Sequence, residues 1–207
     1  MRTRGVPVCG RETRAWKPRR WSPSFALKVL LLLVSVVSGR PVLGQGSEAS
    51  EYQVKAAFLY HFAQFVEWPP EETLKGASSP LTYCTIGEDP FHGSLDAALN
   101  AKTIGTRPLQ VRHVKRASEL QGCHVAFIGE KEKKLLPAVL EILKRNPVLI
   151  VGESEHFVQD GGTIGFRLEE NKIRFEINVE AAEKAKLKIS SRLLTLAKTV
   201  VGGPKGT

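Results

Sequence analysis

An apolar run set behind a basic stretch governs what the rest of this chain can fold into. Arg2, Arg4, Arg11, Arg14, Lys17, Arg19 and Arg20 precede the segment from Phe25 to Val37, and the small residues Ser38 and Gly39 follow. Charge, apolar run and small residues in that order are the physical signature of a secretory leader. Beyond Lys28 the run continues for about nine residues, whereas a membrane-spanning helix needs roughly 20. The pattern predicts a cleavable signal peptide over residues 1–44, with Val42-Leu43-Gly44 ahead of the cut and Gln45 as the new N-terminus. It places the mature chain in a periplasm, without a membrane span of its own. The pair Arg19-Arg20 leaves general secretion and twin-arginine export both open.

Removing the leader changes the charge argument. The whole chain has 30 Lys and Arg against 21 Asp and Glu, but nine of the bases and one acid, Glu12, lie in residues 1–44. The mature part then holds 21 bases and 20 acids, so the basic character belongs to a discarded peptide and nucleic-acid binding is excluded. Lys131/Lys133/Lys134 and Lys184/Lys186/Lys188 alternate with acids or apolar residues and read as solvated faces. About 163 residues remain, the size of one domain with a real core. Residues 45–50 read as a flexible N-terminal tail, 51–201 as the domain and 202–207 as a flexible C-terminal tail.

Periodicity alternates along the domain. Glu51 to Glu67 repeats Val54, Phe58, Leu59, Phe62, Phe65 and Val66 at helical spacing, and Trp68-Pro69-Pro70 stops it. Strand patterns follow at Leu81–Ile86, Leu109–Val114, Cys123–Ile128 and Val148–Val151, with helices near Ser94–Asn100 and over Lys131–Arg145. Thr163–Leu168 and Ile173–Asn178 flank the polar Glu169-Glu170-Asn171-Lys172 and predict a hairpin. A final helix is expected from about Ser191 to Val201. The whole predicts an α/β single-domain sandwich with a mixed, partly antiparallel sheet and flanking helices.

No residue constellation calls for catalysis or a cofactor. A Gly-x-Ser-x-Gly elbow, a phosphate loop and a His-Glu-x-x-His pair are all absent. His61, His92, His113, His124 and His156 stand at no metal-ligand spacing, and His61 reads as a packed helix residue. His92, Ser94 and Asp96 are only fragments of a triad. A binding protein fits better than an enzyme. On the strand Ile173–Asn178, alternation puts Arg174, Glu176 and Asn178 on the face away from Ile173, Phe175 and Ile177, where they line an accessible surface. Arg107 adds a second cation for an anionic group. Among the aromatics, Phe58, Phe62 and Phe65 are expected in the core and Tyr60 and Trp68 at a contact surface. Cys84 and Cys123 form either a disulfide or two buried thiols.

Tyr52-Gln53-Val54-Lys55-Ala56-Ala57-Phe58-Leu59-Tyr60-His61-Phe62, ending in Phe65-Val66-Glu67-Trp68-Pro69, resembles the N-terminal signature of the YfiR family. Asp89-Pro90-Phe91, Gly105-Thr106-Arg107-Pro108-Leu109, Gly122-Cys123-His124, Gly161-Gly162, Arg174 to Asn178 and Leu187 to Leu194 continue the likeness in order. The resemblance implies a periplasmic, often dimeric repressor that binds the periplasmic part of an inner-membrane diguanylate cyclase, or another membrane sensor, and keeps cyclic di-GMP low. It also implies a Cys84–Cys123 bridge, no cofactor and no enzymatic activity. A periplasmic small-molecule binding protein, or an adaptor of a sensor kinase, is the competing reading. N-terminal sequencing of protein from the periplasmic fraction is expected to begin at Gln45; a chain still starting at Met1 would defeat the export reading.

Overall fold

The computed structural model describes residues 45–70 and 79–202. The leader expected over 1–44, and all of the expected tail but Gly202, lie outside the described residues.

Five parallel strands make the centre of the sheet: β2 (Leu81–Ile86), β4 (Arg107–Val114), β5 (Val125–Ile128), β6 (Leu149–Gly152) and β7 (Ile164–Glu169). β2 lies between β4 and β5, and β6 and β7 continue outward from β5. The chain thus winds in one direction from β2, then returns to wind in the other, as in a doubly wound α/β sheet. β8 (Lys172–Asn178) folds back antiparallel on β7, which makes the sheet mixed. Glu170 and Asn171 take the hairpin turn with φ 48° and 58°, the left-handed pair that matches strand twist. β3 (Thr103–Ile104) pairs with β4 at one edge and β10 (Thr199–Val201) with β8 at the other, giving eight strands in all.

Every residue of β2, β5 and β6 is buried, the burial expected of parallel strands covered on both faces. Alternation sends Tyr83, Val125, Phe127, Leu149 and Val151 to one core. There they meet α1 (Gln45–Gln64), α2 (Ser94–Leu99), α4 (Val179–Lys184) and α5 (Ser191–Leu196). Cys84, Ile86, Ala126, Ile128 and Ile150 face the other core, under α3 (Leu136–Leu143) and the 3₁₀ turn Ala117–Leu120. Phe157 closes this second core by lying flat on the chain: a Cβ added at Gly152 or Gly162 would sit 2.1 Å from its ring. Cys84 and Cys123 are disulfide-bonded, Cα atoms 6.0 Å apart, tying β2 to the approach of β5.

The structure departs from the sequence reading at element ends. α1 begins at Gln45, so residues 45–50 are helical rather than a tail. It stops at Gln64, not Glu67, because Val66-Glu67 becomes β1 and pairs antiparallel with β9 (Lys188–Ile189). The expected helix from Lys131 opens as a 3₁₀ turn over Glu130–Leu135, and α3 starts where Pro137 suits a first turn. The expected C-terminal helix ends at Leu196; β-branched Thr199-Val200-Val201 instead joins the sheet beside β8.

Reducing the Cys84–Cys123 bridge, whose cysteines are 39 residues apart, is expected to lower unfolding stability by roughly 4 kcal/mol in the chain-entropy model. Urea midpoints of oxidised and fully reduced protein measure it. Equal midpoints would mean the bridge constrains nothing.

Candidate functional site

The hairpin follows its alternation. Phe175 and Ile177 are buried, whereas Arg174 is exposed and Glu176 half-buried on the opposite face. The register brings in a residue that strand-by-strand reading missed: Arg167 of β7 stands directly opposite Arg174. Like charges facing each other across a ladder repel. Glu176 offsets one of them, its carboxylate 3.9 Å from Arg167 Nε, and Arg174 makes no ion pair among the described residues. Asn178 belongs to the scaffold instead of the surface. Its Oδ1 accepts from the Ala181 N–H at 2.9 Å and its Nδ2 donates to the Val158 carbonyl at 2.7 Å, which caps α4. On the other side of the hairpin, Leu168 is 56% exposed beside Ile173, and Leu196 at the end of α5 is 67% exposed. The hairpin therefore offers a two-arginine ridge on one face and uncovered apolar groups on the other.

Arg107 corrects the expectation of an accessible cation. It is only 7% exposed; its guanidinium donates to the carbonyls of Ser79 and Pro80 and lies 2.9 Å from His124 Nε2. The Thr82 N–H reaches His124 Nδ1, and Trp68 stands edge-on to the same imidazole, ring centroids 5.8 Å apart. Trp68 and Arg107 are thus brought together through His124, away from the hairpin residues in sequence and in sheet position. Tyr60 is half-buried with the Lys102 ammonium 4.4 Å over its ring. His61 is exposed rather than packed, and Phe58 and Phe65 are only partly buried while Phe62 is wholly so.

A polar cluster absent from the sequence reading lies at the carboxyl ends of β5 and β6. Lys55 of α1 is 4% exposed, while its apolar neighbour Val54 is 42% exposed. The Lys55 ammonium pairs with Glu153 and with Glu51, each at 2.5 Å. Glu153 also accepts from the Tyr52 hydroxyl at 2.9 Å and the Glu130 N–H at 3.0 Å. Burial, then the charge of Glu153, holds the Tyr52 phenol well above its ordinary pKa, so it stays a donor. The signal was present: Tyr52, Ala56, Leu59 and Ala63 make one helical stripe, and Lys55 falls beside it. Nearby, Thr85 Oγ1 is 2.8 Å from His113 Nδ1, whose Nε2 is 3.4 Å from Asp96. Thr85 is only 1% exposed, while His113 and Asp96 stand nearer the surface. The triad fragments stay apart, since Ser94 Oγ donates to the Phe91 carbonyl instead.

The sequence model of the YfiR/HmsC-like family matches residues 52–198, from the first core turn of α1 to the approach of β10. The chain belongs to that family. Among solved structures, this YfiR/HmsC-like chain aligns with a conserved domain protein from Vibrio cholerae O1 biovar El Tor str. N16961 at a TM-score of 0.41 and 10% identity. The alignment covers 63% of this chain and 58% of that one. Among the described residues no helix is long and apolar enough to cross a membrane, and no cluster of His, Cys, Asp and Glu could hold a metal ion.

Lys55→Met leaves Glu153 buried without its cation and is expected to cost about 3–5 kcal/mol. Lys55→Met combined with Glu153→Leu should recover a large part of that loss. Urea unfolding of the single and double variants decides; a single variant as stable as wild type would mean that the pair does not couple α1 to the sheet.

Proposed function

We propose that this YfiR/HmsC-like protein is a periplasmic regulatory binding protein that represses an inner-membrane signalling enzyme, a diguanylate cyclase, and so lowers cyclic di-GMP. Family membership over residues 52–198 carries the reading, because it points to a periplasmic regulator of cyclic di-GMP signalling rather than to a catalyst. The hairpin supports it with a surface suited to a protein partner. Arg167 and Arg174 face each other with one carboxylate, Glu176, beside Arg167 alone, and an acidic patch on the cyclase's periplasmic domain would relieve their repulsion. Arginine forks suit such contacts. Leu168 adds apolar area at the same tip.

A repressor of this kind acts by binding the inactive partner more tightly than the active one. Reversing a 99:1 population takes on the order of 5 kcal/mol of preference. Three contacts of about 2 kcal/mol each reach that figure. Trp68 and Tyr60 are weaker contact candidates, since His124 and Lys102 already engage them.

Deleting the protein is expected to raise intracellular cyclic di-GMP and surface attachment. Arg174→Glu, exported and folded like wild type, should reproduce most of that rise, and Arg107→Lys should act only through lost stability. If deletion leaves cyclic di-GMP unchanged, the repressor reading fails. A silent Arg174→Glu beside an effective deletion would move the contact surface elsewhere and leave the function standing.

A further inference from the structure

A second concave surface lies away from the Arg167/Arg174 ridge. Between α3 and α4 runs a groove of about 460 Å³, walled by Leu140, Leu143, Val148, Ile150, Ala181 and Ala185. That volume falls within the roughly 300–1,000 Å³ of small-molecule sites. Its origin is local. α4 turns Ala182 into the core and lines the groove with the small Ala181, followed by Ala185 at its C-cap, beside the charged Glu180 and Lys184.

The polar atoms around the groove restrict what can fill it. Both ends of the Asn178 carboxamide are already used, on the Ala181 N–H and the Val158 carbonyl. The Thr163 N–H donates to the Ile150 carbonyl, and the Thr163 carbonyl accepts from the Asn178 N–H. A polar ligand body would lose its water there and gain few partners. The rim is charged but balanced: Lys144 pairs with Glu141 at 3.7 Å, and Lys184 with Glu180 at 2.6 Å. Two bases and two acids select neither an anion nor a cation.

We infer that the α3–α4 groove binds an uncharged, largely hydrocarbon small molecule, its body against Leu140, Leu143 and Ile150 and a single neutral polar end at the Lys–Glu rim. The groove stands independently of the repressor reading, since no partner protein enters its chemistry. α4 leaves β8 directly through Asn178, so an occupant would touch the element that ends the hairpin.

The test uses protein recovered from the periplasm after expression of the full chain. Octan-1-ol, octanoate and octylammonium are titrated in turn by calorimetry at two temperatures, so that an enthalpy near zero at one does not hide binding. Octan-1-ol should bind saturably at one site, with the two ions about tenfold weaker or more. Ala181→Leu, which fills the groove from α4, should abolish octan-1-ol binding while keeping the wild-type circular dichroism spectrum. Ala185→Leu serves if that variant fails to fold. Absence of saturable octan-1-ol binding overturns the inference. So does equal binding of all three probes, or binding that survives a folded groove-filling variant.

Discussion

β2, β5 and β6 are buried on both faces, and the rest of the structure follows from the need to cover them. A parallel ladder leaves no face for solvent, so each face must find helices from elsewhere in the chain. One face is covered by segments from both ends of the domain, α1 with Phe62 and α5 with Leu193. The other is covered by α3 and by Phe157, which the missing side chains of Gly152 and Gly162 admit. Because β5 must return past β2, the approach to it passes Cys84, and Cys123 forms its bridge there. The disulfide thus fastens the point at which the winding reverses.

The same cover explains the buried charge. Tyr52 and Lys55, midway along α1, meet Glu153 at the carboxyl ends of β5 and β6, where doubly wound sheets open their ligand crevice. Here the chain's own groups occupy that place. Glu153 is held by Lys55, Tyr52 and the Glu130 N–H, and Glu132 lies against Gly87 and accepts from the Glu88 N–H. A buried pair of this sort is poor evidence of net stability.

With that crevice filled, accessible chemistry moves to the far side of the sheet, where the fold has least cover. The hairpin of β7 and β8 projects Leu168 and Arg174 into solvent, and α4 leaves its groove beside α3. Only the groove lies next to Asn178, which ends β8 and caps α4 in the same residue, whereas Leu168 and Arg174 sit towards the turn at the other end of the hairpin.

The amino-acid sequence by itself determined the family likeness, the α/β class, the strand pattern of Leu81–Ile86 and the inward Phe175 and Ile177 of the hairpin. All of these depend on neighbours within a few positions, through alternation, helical spacing and proline. Only tertiary structure decided that Thr199-Val200-Val201 is a strand, because its partner Glu176-Ile177-Asn178 lies more than 20 residues away. It decided likewise that Val66-Glu67 pairs with Lys188-Ile189. The site residues divide in the same way. Arg174 was legible from its strand, but its opposition to Arg167 is a matter of register. Asn178 and Arg107 carry side chains that look like ligand contacts, and the backbone groups they satisfy instead belong to segments that only folding brings near. Lys55 reads as a surface cation until Glu153, 98 positions along, arrives to neutralise it. Pattern reports which way a side chain points; what it meets there is set by long-range packing.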